Sequence, residues 1–215
     1  MTLSLSHKNV KRAASVVARG GVIVFRTDTF YGLGADPFNA AAVRKVKDLK
    51  GREENRPILV LISDVDQLGR LIESRSAAFD ELARRFWPGA LTIIGRATSQ
   101  LPSELTAGTN SVGVRLPDDE TVSSLVRACG GALTATSANP SGEPPARSAA
   151  EALKYFGEKV DLILDGGATK TDRPSTVVDT TSGNADILPA GLAEVTLVRQ
   201  GVIAWTEIQS ALSAR

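Results

Sequence analysis

One cysteine (Cys129), one histidine (His7) and one methionine (Met1) are all that the 215 residues hold of those three types. A single thiol closes no internal disulfide and builds no cysteine-rich zinc cluster, and a single imidazole cannot supply the multi-histidine sites that zinc and iron favour. Net charge is equally scarce: 25 Lys+Arg against 24 Asp+Glu leave +1, which argues against gripping nucleic acid by bulk electrostatics. No apolar run approaches the ~20 residues of a membrane span. The best early stretch, residues 16–25, is broken by Arg19, Gly20 and Gly21. The layout of a secretory signal is missing as well, so the expectation is a soluble, cytoplasmic protein without membrane contact.

Three phosphate- and nucleophile-bearing motifs are absent too: Gly-x-x-x-x-Gly-Lys-Ser/Thr, Gly-x-Gly-x-x-Gly after a strand, and Gly-x-Ser-x-Gly. Conventional P-loop, Rossmann and serine-hydrolase readings lose their main support. With His7 near the start of the chain and Cys129 in an apolar helix-like stretch, His or Cys nucleophiles are disfavoured. Chemistry would then rest on positioning and charge stabilisation by Lys, Arg and hydroxyl groups, with Mg²⁺ in support.

What is present is ordinary globular composition, 42% hydrophobic and 23% charged, enough for a sizeable core. Apolar, β-branched runs at 22–25, 58–62, 91–94, 112–116, 132–136, 162–164, 176–179 and 195–198 read as strands. Several are apolar throughout, as in strands covered on both faces. Helices fit between them at 8–18, 40–50, 66–73, 77–85, 121–129, 149–155 and 207–212. In the second, Asn39 suits an N-cap, Val43, Val46 and Leu49 form the buried stripe, and Gly51 sits where a left-handed C-terminal cap would be. Lys50 would thus stand at a helix end facing a loop. No repeat or long linker divides the chain, so one α/β domain over 1–215 is expected, with its core at about 10–201 and a tail at 202–215. The runs 91–94 and 112–116 follow one another with no helix between, which favours a single open, twisted, mixed sheet with flanking helices.

Three polar clusters sit at strand ends, where open α/β sheets tend to place ligands. The first runs from Arg26 through Thr27, Asp28 and Thr29 to Gly34. It offers hydroxyls, a carboxylate and flexible glycines, letters that also make an ordinary turn. The second, residues 44–57, is a local positive patch. Arg44, Lys45 and Lys47 suit a solvated helix face, whereas Lys50, Arg52 and Arg56 run into a loop where cations can converge on phosphate. The third, residues 134–142, carries Ser137 and Asn139, uncharged donors suited to phosphate or ribose oxygens and equally to Asx and Ser turns. Arg115 ends a buried strand and needs an anionic partner, either a ligand carboxylate or an internal acid.

Taken in order, these clusters resemble the YrdC/Sua5 family of threonylcarbamoyl-AMP synthases. The resemblance runs from about residue 10 to 201. It is carried by Thr27-Asp28-Thr29-Phe30-Tyr31-Gly32-Leu33-Gly34, Lys50-Gly51-Arg52 with Arg56-Pro57, Trp87-Pro88-Gly89-Ala90-Leu91-Thr92, Val114-Arg115-Leu116-Pro117, Ser137-Ala138-Asn139-Pro140-Ser141-Gly142, Ser175-Thr176-Val177-Val178-Asp179 and Arg199-Gln200-Gly201. It implies a YrdC/RibB-like fold of the short type and a nucleotidyltransferase that condenses L-threonine, bicarbonate or CO₂ and ATP into threonylcarbamoyl-AMP and pyrophosphate. That product would feed a downstream transferase complex that modifies adenosine 37 of tRNA. By the same resemblance Thr29, Leu61, Arg115, Ala135 and Ser175 match threonine-binding positions. Lys50, Arg52, Arg56, Ser111, Ser137, Asn139, Pro145 and Arg199 match ATP-binding positions, Lys50 and Arg52 being the catalytic pair. No protein-held metal is implied, only Mg²⁺ carried by phosphates and water. Arg26, Pro174 and Gln200 depart from the family's usual letters. Two other readings stay open: a non-catalytic RNA- or ribosome-associated module making weak tRNA contact through the basic patch, and a carbamoyl-adenylate-forming domain of the hydrogenase-maturation type.

Overall fold

The computed structural model describes residues 1–4, 6–51, 57–169, 171–181 and 195–213, the side chain of His7 excepted. In chain order the elements are β1 (Thr2–Ser4), α1 (His7–Ala18), β2 (Ile23–Arg26), β3 (Tyr31–Gly34), α2 (Ala40–Lys50), β4 (Val60–Ile62), α3 (Leu68–Leu71), β5 (Ile72–Ser74), α4 (Ala77–Phe86), β6 (Leu91–Ala97), α5 (Ser103–Thr106), β7 (Ser111–Arg115), α6 (Glu120–Ala128), β8 (Ala132–Thr134), β9 (Thr136–Ser137), α7 (Ala149–Phe156), β10 (Leu162–Asp165), β11 (Thr176–Asp179), β12 (Thr196–Arg199) and α8 (Trp205–Ser213).

The architecture is mixed α/β as expected, but the strands form two sheets where one was expected. The first has the order β1-β10-β2-β3-β9, and the second β12-β11-β6-β7-β4-β8 with β5 added to β6. Each mixes parallel and antiparallel pairs: β10 runs parallel to β2, which is antiparallel to β3, while β6 is parallel to β11 and antiparallel to β7. The expected 132–136 strand is what links them. Its first half, β8, pairs with β4 of the second sheet, and its second half, β9, pairs with β3 of the first. The change of sheet occurs at Ala135, whose N–H donates to Leu59 O at 2.9 Å. One residue earlier, the Thr134 hydroxyl accepts from Ala35 N–H at 2.8 Å and braces the switch.

Why the run 22–25, most of β2, is apolar is now plain. Val22 and Val24 belong to one buried cluster, with Ala149, Ala152 and Phe156 of α7, whereas Ile23 and Phe25 belong to another, with Ala13 and Val17 of α1 and Val122, Leu125 and Val126 of α6. Alternate side chains thus feed cores on opposite faces, the condition for a strand without polar positions. Caps fix the helix ends. Asn39 Oδ1 accepts from Ala42 N–H at 3.1 Å, and Gly51 closes α2 at φ 60°, a left-handed conformation that glycine takes without a Cβ penalty. Ser76 caps α4, whose Phe79 meets Trp87 edge-on at 5.9 Å between ring centroids.

Three differences from the sequence reading bear on the site. The 66–73 helix is only one α-turn, α3, and its last residues become β5. A single turn, α5, interrupts the 94–112 connection. Residues 31–34, taken as part of a glycine-bearing loop, are the buried strand β3, in register with β2 from Arg26↔Tyr31 to Ile23↔Gly34. Its two glycines let neighbours close in: a Cβ on Gly34 would stand 2.7 Å from the Phe25 ring.

Leu33 is fully buried on β3 and pairs with Val24 on one side and Thr136 on the other. Leu33→Ala is expected to cost about 2–5 kcal/mol, as large-to-small core changes do. Urea unfolding monitored by circular dichroism, showing a lowered midpoint at unchanged slope, checks this.

Candidate functional site

A cavity of about 580 Å³ lies where the two sheets face one another, within the range of small-molecule sites. One wall comes from the β2–β3 turn and β3 (Thr27, Thr29, Phe30, Tyr31, Gly32) and from Ala135, Thr136 and Ser137 at the seam. The other comes from the second sheet: Thr92 and Ile94 of β6, Gly113 and Arg115 of β7, Ser175 and Val177 at β11, and Val198 and Arg199 of β12. Strand periodicity explains the choice. Thr92/Ile94, Gly113/Arg115 and Ser175/Val177 are residues two apart, and each pair therefore shares a sheet face. Val177 is in register with both Thr92 and Arg199.

Arg115 is 2% exposed, and its Nη1 lies 2.8 Å from Asp28 Oδ1, whose side chain is 12% exposed. The contact pairs opposite charges, and the charge and hydrogen bond of Asp28 both support the Arg115 cation. Arg115 Nε is buried without a hydrogen-bond partner. Burial pulls the Arg115 pKa below its ordinary value, and the Asp28 charge opposes that pull. The cation persists, because an arginine starts so far above neutrality. Both alternatives raised for Arg115 thus meet in one place: it has an internal acid, and it also lines the cavity.

A second buried pair lies alongside. Arg26 Nη2 donates to Asp119 Oδ2 at 2.7 Å, and Asp119 also caps α6 by accepting from Thr121 and Val122 N–H. The two pairs cross between the same segments, 26–28 on the β2–β3 turn and 115–119 after β7. Burial works to raise the Asp119 pKa, but the Arg26 charge, the Val122 and Thr121 amides and the Arg26 hydrogen bond hold it below its ordinary value.

The hydroxyls around the pair are ordered. Thr27 Oγ1 donates its one proton to Phe30 O at 2.7 Å and accepts from Thr29 N–H at 3.1 Å. In its 3.1 Å contact with Thr29 Oγ1, the Thr29 hydroxyl must therefore be the donor. The lone pairs of Thr29 are left for a donor in the cavity. Across the site Ser175 Oγ touches Thr92 Oγ1 at 3.0 Å and accepts from Arg199 Nη2 at 3.2 Å, while Ser175 O accepts from Arg199 Nη2 at 3.0 Å and Nε at 3.2 Å. A Cβ on Gly201 would fall 2.2 Å from Pro174 O, so glycine allows the segment after β12 to press on the backbone before Ser175.

Of the residues singled out from sequence, Thr29, Arg115, Ala135, Ser137, Ser175 and Arg199 line the cavity together. Leu61 is in register with Arg115 but sits in the buried cluster with Ile23, Phe25 and Leu133, while Leu59, two residues earlier, lines the cavity. Ser111 shares the Arg115 face of β7 at the strand's far end, and its Oγ meets Thr109 Oγ1 at 2.9 Å. Pro145 is half-buried outside the lining.

Lys50 is 2% exposed and does not line the cavity. Its Nζ donates to Ser137 O at 2.6 Å and Asn139 O at 2.8 Å, and lies 3.3 Å from Ser137 Oγ and 3.2 Å from Asn139 Oδ1. Asn139 Nδ2 in turn donates to Pro140 O and Glu143 O. The lysine thus fixes the turn that presents Ser137. Arg52 and Arg56 lie outside the described residues.

Sequence reasoning missed Thr92, a hydroxyl inside an otherwise apolar strand, and the partnership of Asp28, which depends on contacts far apart in sequence. Burial pushes the Cys129 thiol up to about 12 and the Tyr31 phenol up to about 12, so neither is an anionic nucleophile near neutrality. Tyr31 instead ties β3 to the loop after β10, donating to Gly167 O at 2.6 Å and accepting from Gly166 N–H at 3.1 Å. Among the described residues no group of three or more His, Cys, Asp or Glu side chains is placed to hold a metal. The described lining contains no carboxylate, a donor set that does not fit a protein-held Mg²⁺. No described helix is long and apolar enough to cross a membrane.

Comparison with known proteins identifies a family and a fold. The family described as Telomere recombination (Sua5, YciO and YrdC) matches residues 15–191. The chain is 36% identical over 174 residues, 81% of its length and 91% of the relative's, to a threonylcarbamoyl-AMP synthase of Halorhodospira halophila. It is 39% identical over 165 residues, 77% of its length and 87% of the relative's, to one of Thiobacillus denitrificans. Its fold superposes on the crystal structure of P. abyssi Sua5 complexed with L-threonine with a TM-score of 0.89 at 31% identity, covering 99% of this chain and 59% of that one.

The depressed Asp119 pKa has a consequence for stability. A carboxyl whose folded pKa lies below its unfolded value stabilises the fold above the unfolded pKa and loses that contribution as pH falls through the folded one. Arg26→Met is therefore expected to lower stability near neutrality and to flatten the decline below about pH 4, the ordinary carboxyl range. Urea midpoints of wild type and variant from neutral to acidic pH check it.

Proposed function

The chain belongs to the Sua5/YciO/YrdC family, and from that premise we infer that its inter-sheet cavity makes threonylcarbamoyl-AMP. The protein is a threonylcarbamoyl-AMP synthase, a nucleotidyltransferase of the pathway that modifies tRNA. The single observation that best supports a site for this activity is Arg115, a buried guanidinium in the cavity wall with the hydroxyls of Thr29 and Ser175 in the same lining.

The residue roles follow from donors and charges. Arg115 takes the substrate carboxylate, the geometry in which a guanidinium fork is strongest. Thr29 Oγ, its proton committed to Thr27, accepts from the substrate ammonium. Once the ammonium has given a proton to solvent, the neutral amine attacks CO₂: a C–N bond forms as one C=O π bond opens, and loss of a second nitrogen proton to solvent leaves the carbamate. With bicarbonate the attack also breaks a C–O bond, and the hydroxide expelled takes up that proton and leaves as water. A carbamate oxygen then attacks the α-phosphorus of ATP; a new P–O bond forms, the bond to the β-phosphate bridging oxygen breaks, and pyrophosphate leaves.

Holding the amino acid and the nucleotide in one cavity makes this second step effectively unimolecular. Arg199, anchored on Ser175, lies where it can offset charge growing on phosphate oxygens. Ser137 receives the nucleotide on the turn that Lys50 fixes, with Asn139 bracing that turn. The family resemblance also assigns Ser111, Pro145, Arg52 and Arg56 to ATP, the last two lying outside the described residues. Mg²⁺ belongs to the proposal as an ion that arrives on the ATP phosphates, and no step is assigned to it. The product's acceptor is a downstream threonylcarbamoyl transferase complex in the cytoplasm, and any direct tRNA contact would be weak at a net charge of +1.

Purified protein supplied with ATP, L-threonine, bicarbonate and Mg²⁺ is expected to release pyrophosphate and form an adenylate with the mass of threonylcarbamoyl-AMP. Release that is unchanged on omitting threonine contradicts the reading. Release supported by carbamoyl phosphate in place of threonine and bicarbonate favours the hydrogenase-maturation type of activity instead.

A further inference from the structure

We propose that Asp28 is the specificity-determining residue of the amino-acid end of the cavity, cancelling the charge of Arg115 so that a singly charged carboxylate is admitted and a phosphate dianion refused. The proposal rests on the reading that Arg115 receives the substrate carboxylate.

Asp28 does not belong to the described lining. It reaches Arg115 from the β2–β3 turn, behind the surface a substrate would meet, and it is held there by flanking residues whose hydroxyls and backbone are already committed. Its contribution to Arg115 is a negative charge held 2.8 Å from Nη1, the charge and the hydrogen bond of Asp28 both supporting the guanidinium against burial. The neighbouring Arg26–Asp119 pair is neutral in itself and leaves this balance unaltered.

The proposed reaction needs one continuous cavity to sort two kinds of anion. A bare, buried guanidinium would attract a phosphate dianion more strongly than a carboxylate, because Coulombic attraction scales with charge and is little screened away from water. ATP, pyrophosphate or inorganic phosphate would then compete for the place of the amino acid. With Asp28 beside it, Arg115 presents donor directions with no net charge. A zwitterionic amino acid loses little, since its carboxylate is matched by its own ammonium at Thr29. Arg199, on Ser175 in the same lining, offers a dianion one further cation, but at the Arg115–Asp28 pair its second negative charge finds no cation and meets the Asp28 carboxylate, a like-charge contact of the kind that refuses a wrong partner.

Competition calorimetry between L-threonine and inorganic phosphate tests this. In wild type, phosphate is expected to displace threonine weakly. In Asp28→Asn its competing affinity is expected to rise by about tenfold or more, and the gain should vanish in the Asp28→Asn, Arg115→Met double variant. A purely structural role for Asp28 would weaken both ligands and create no new competition. An Asp28→Asn protein that binds threonine but admits phosphate no better than wild type overturns the proposal and leaves the functional reading intact, whereas wild type that takes up no threonine overturns both. Should Asp28→Asn not fold, wild type decides through the phosphonate analogue of threonine and its monomethyl ester, at a pH where the free phosphonate is doubly charged. The monoanionic ester is expected to bind about tenfold more tightly, and equal affinities overturn the proposal.

Discussion

Four buried charges in two crossed pairs are the constraint on which the site depends. Arg26 and Asp28 lie at the turn between β2 and β3 of the first sheet, and Arg115 and Asp119 at the end of β7 of the second and the start of α6. Each cation finds its acid on the other segment, at 2.7 Å for Arg26–Asp119 and 2.8 Å for Arg115–Asp28. Charges this deep are tolerated only when matched, because an uncompensated one costs several kcal/mol. The matching therefore fixes how the turn lies against β7, and with it one end of the cavity. A neutral total charge and a buried guanidinium in the cavity wall are compatible because Arg115 carries its acid with it.

The other walls are set by neutral hydrogen bonds. Thr134 and Ala135 bind Ala35 and Leu59 at the point where the chain leaves one sheet for the other. Lys50 gathers the Ser137–Asn139 turn around its ammonium. Arg199, Ser175 and Thr92 form a hydroxyl-and-guanidinium row across three strands of the second sheet. The cations are placed differently: Lys50 holds the Ser137–Asn139 turn outside the lining, while Arg115 and Arg199 line the cavity.

Local patterns were readable from the residues, and long-range pairings were not. Helix α2 matched its expected limits because its signals are local: Asn39 before it, a stripe within it, Gly51 after it. Strand β3 was hidden because Gly32 and Gly34 read as turn letters, whereas their missing side chains make room for Thr136 O and the Phe25 ring. The 132–136 run looked like one strand because a period-two pattern says nothing about which sheet each half will join. Residues 66–73 carried a helical period too short to outweigh pairing with β6. At the site, Arg115 was marked by being a charge at the end of an apolar strand. Asp28 as its partner, and Thr92 beside Ser175, depend on contacts 87 and 83 positions apart in the chain, which no spacing rule announces.

If Arg115 receives the substrate carboxylate at the junction of the two sheets, the negative charge of that carboxylate must carry much of the binding. The most direct measurement is calorimetric titration of the wild-type protein with L-threonine and with its methyl ester, which keeps the ammonium, hydroxyl and methyl groups and loses only the negative charge. Threonine should give saturable heat, and the ester an affinity at least about a hundredfold lower, the loss of one buried charge-assisted pair. Equal affinity for the two would contradict it.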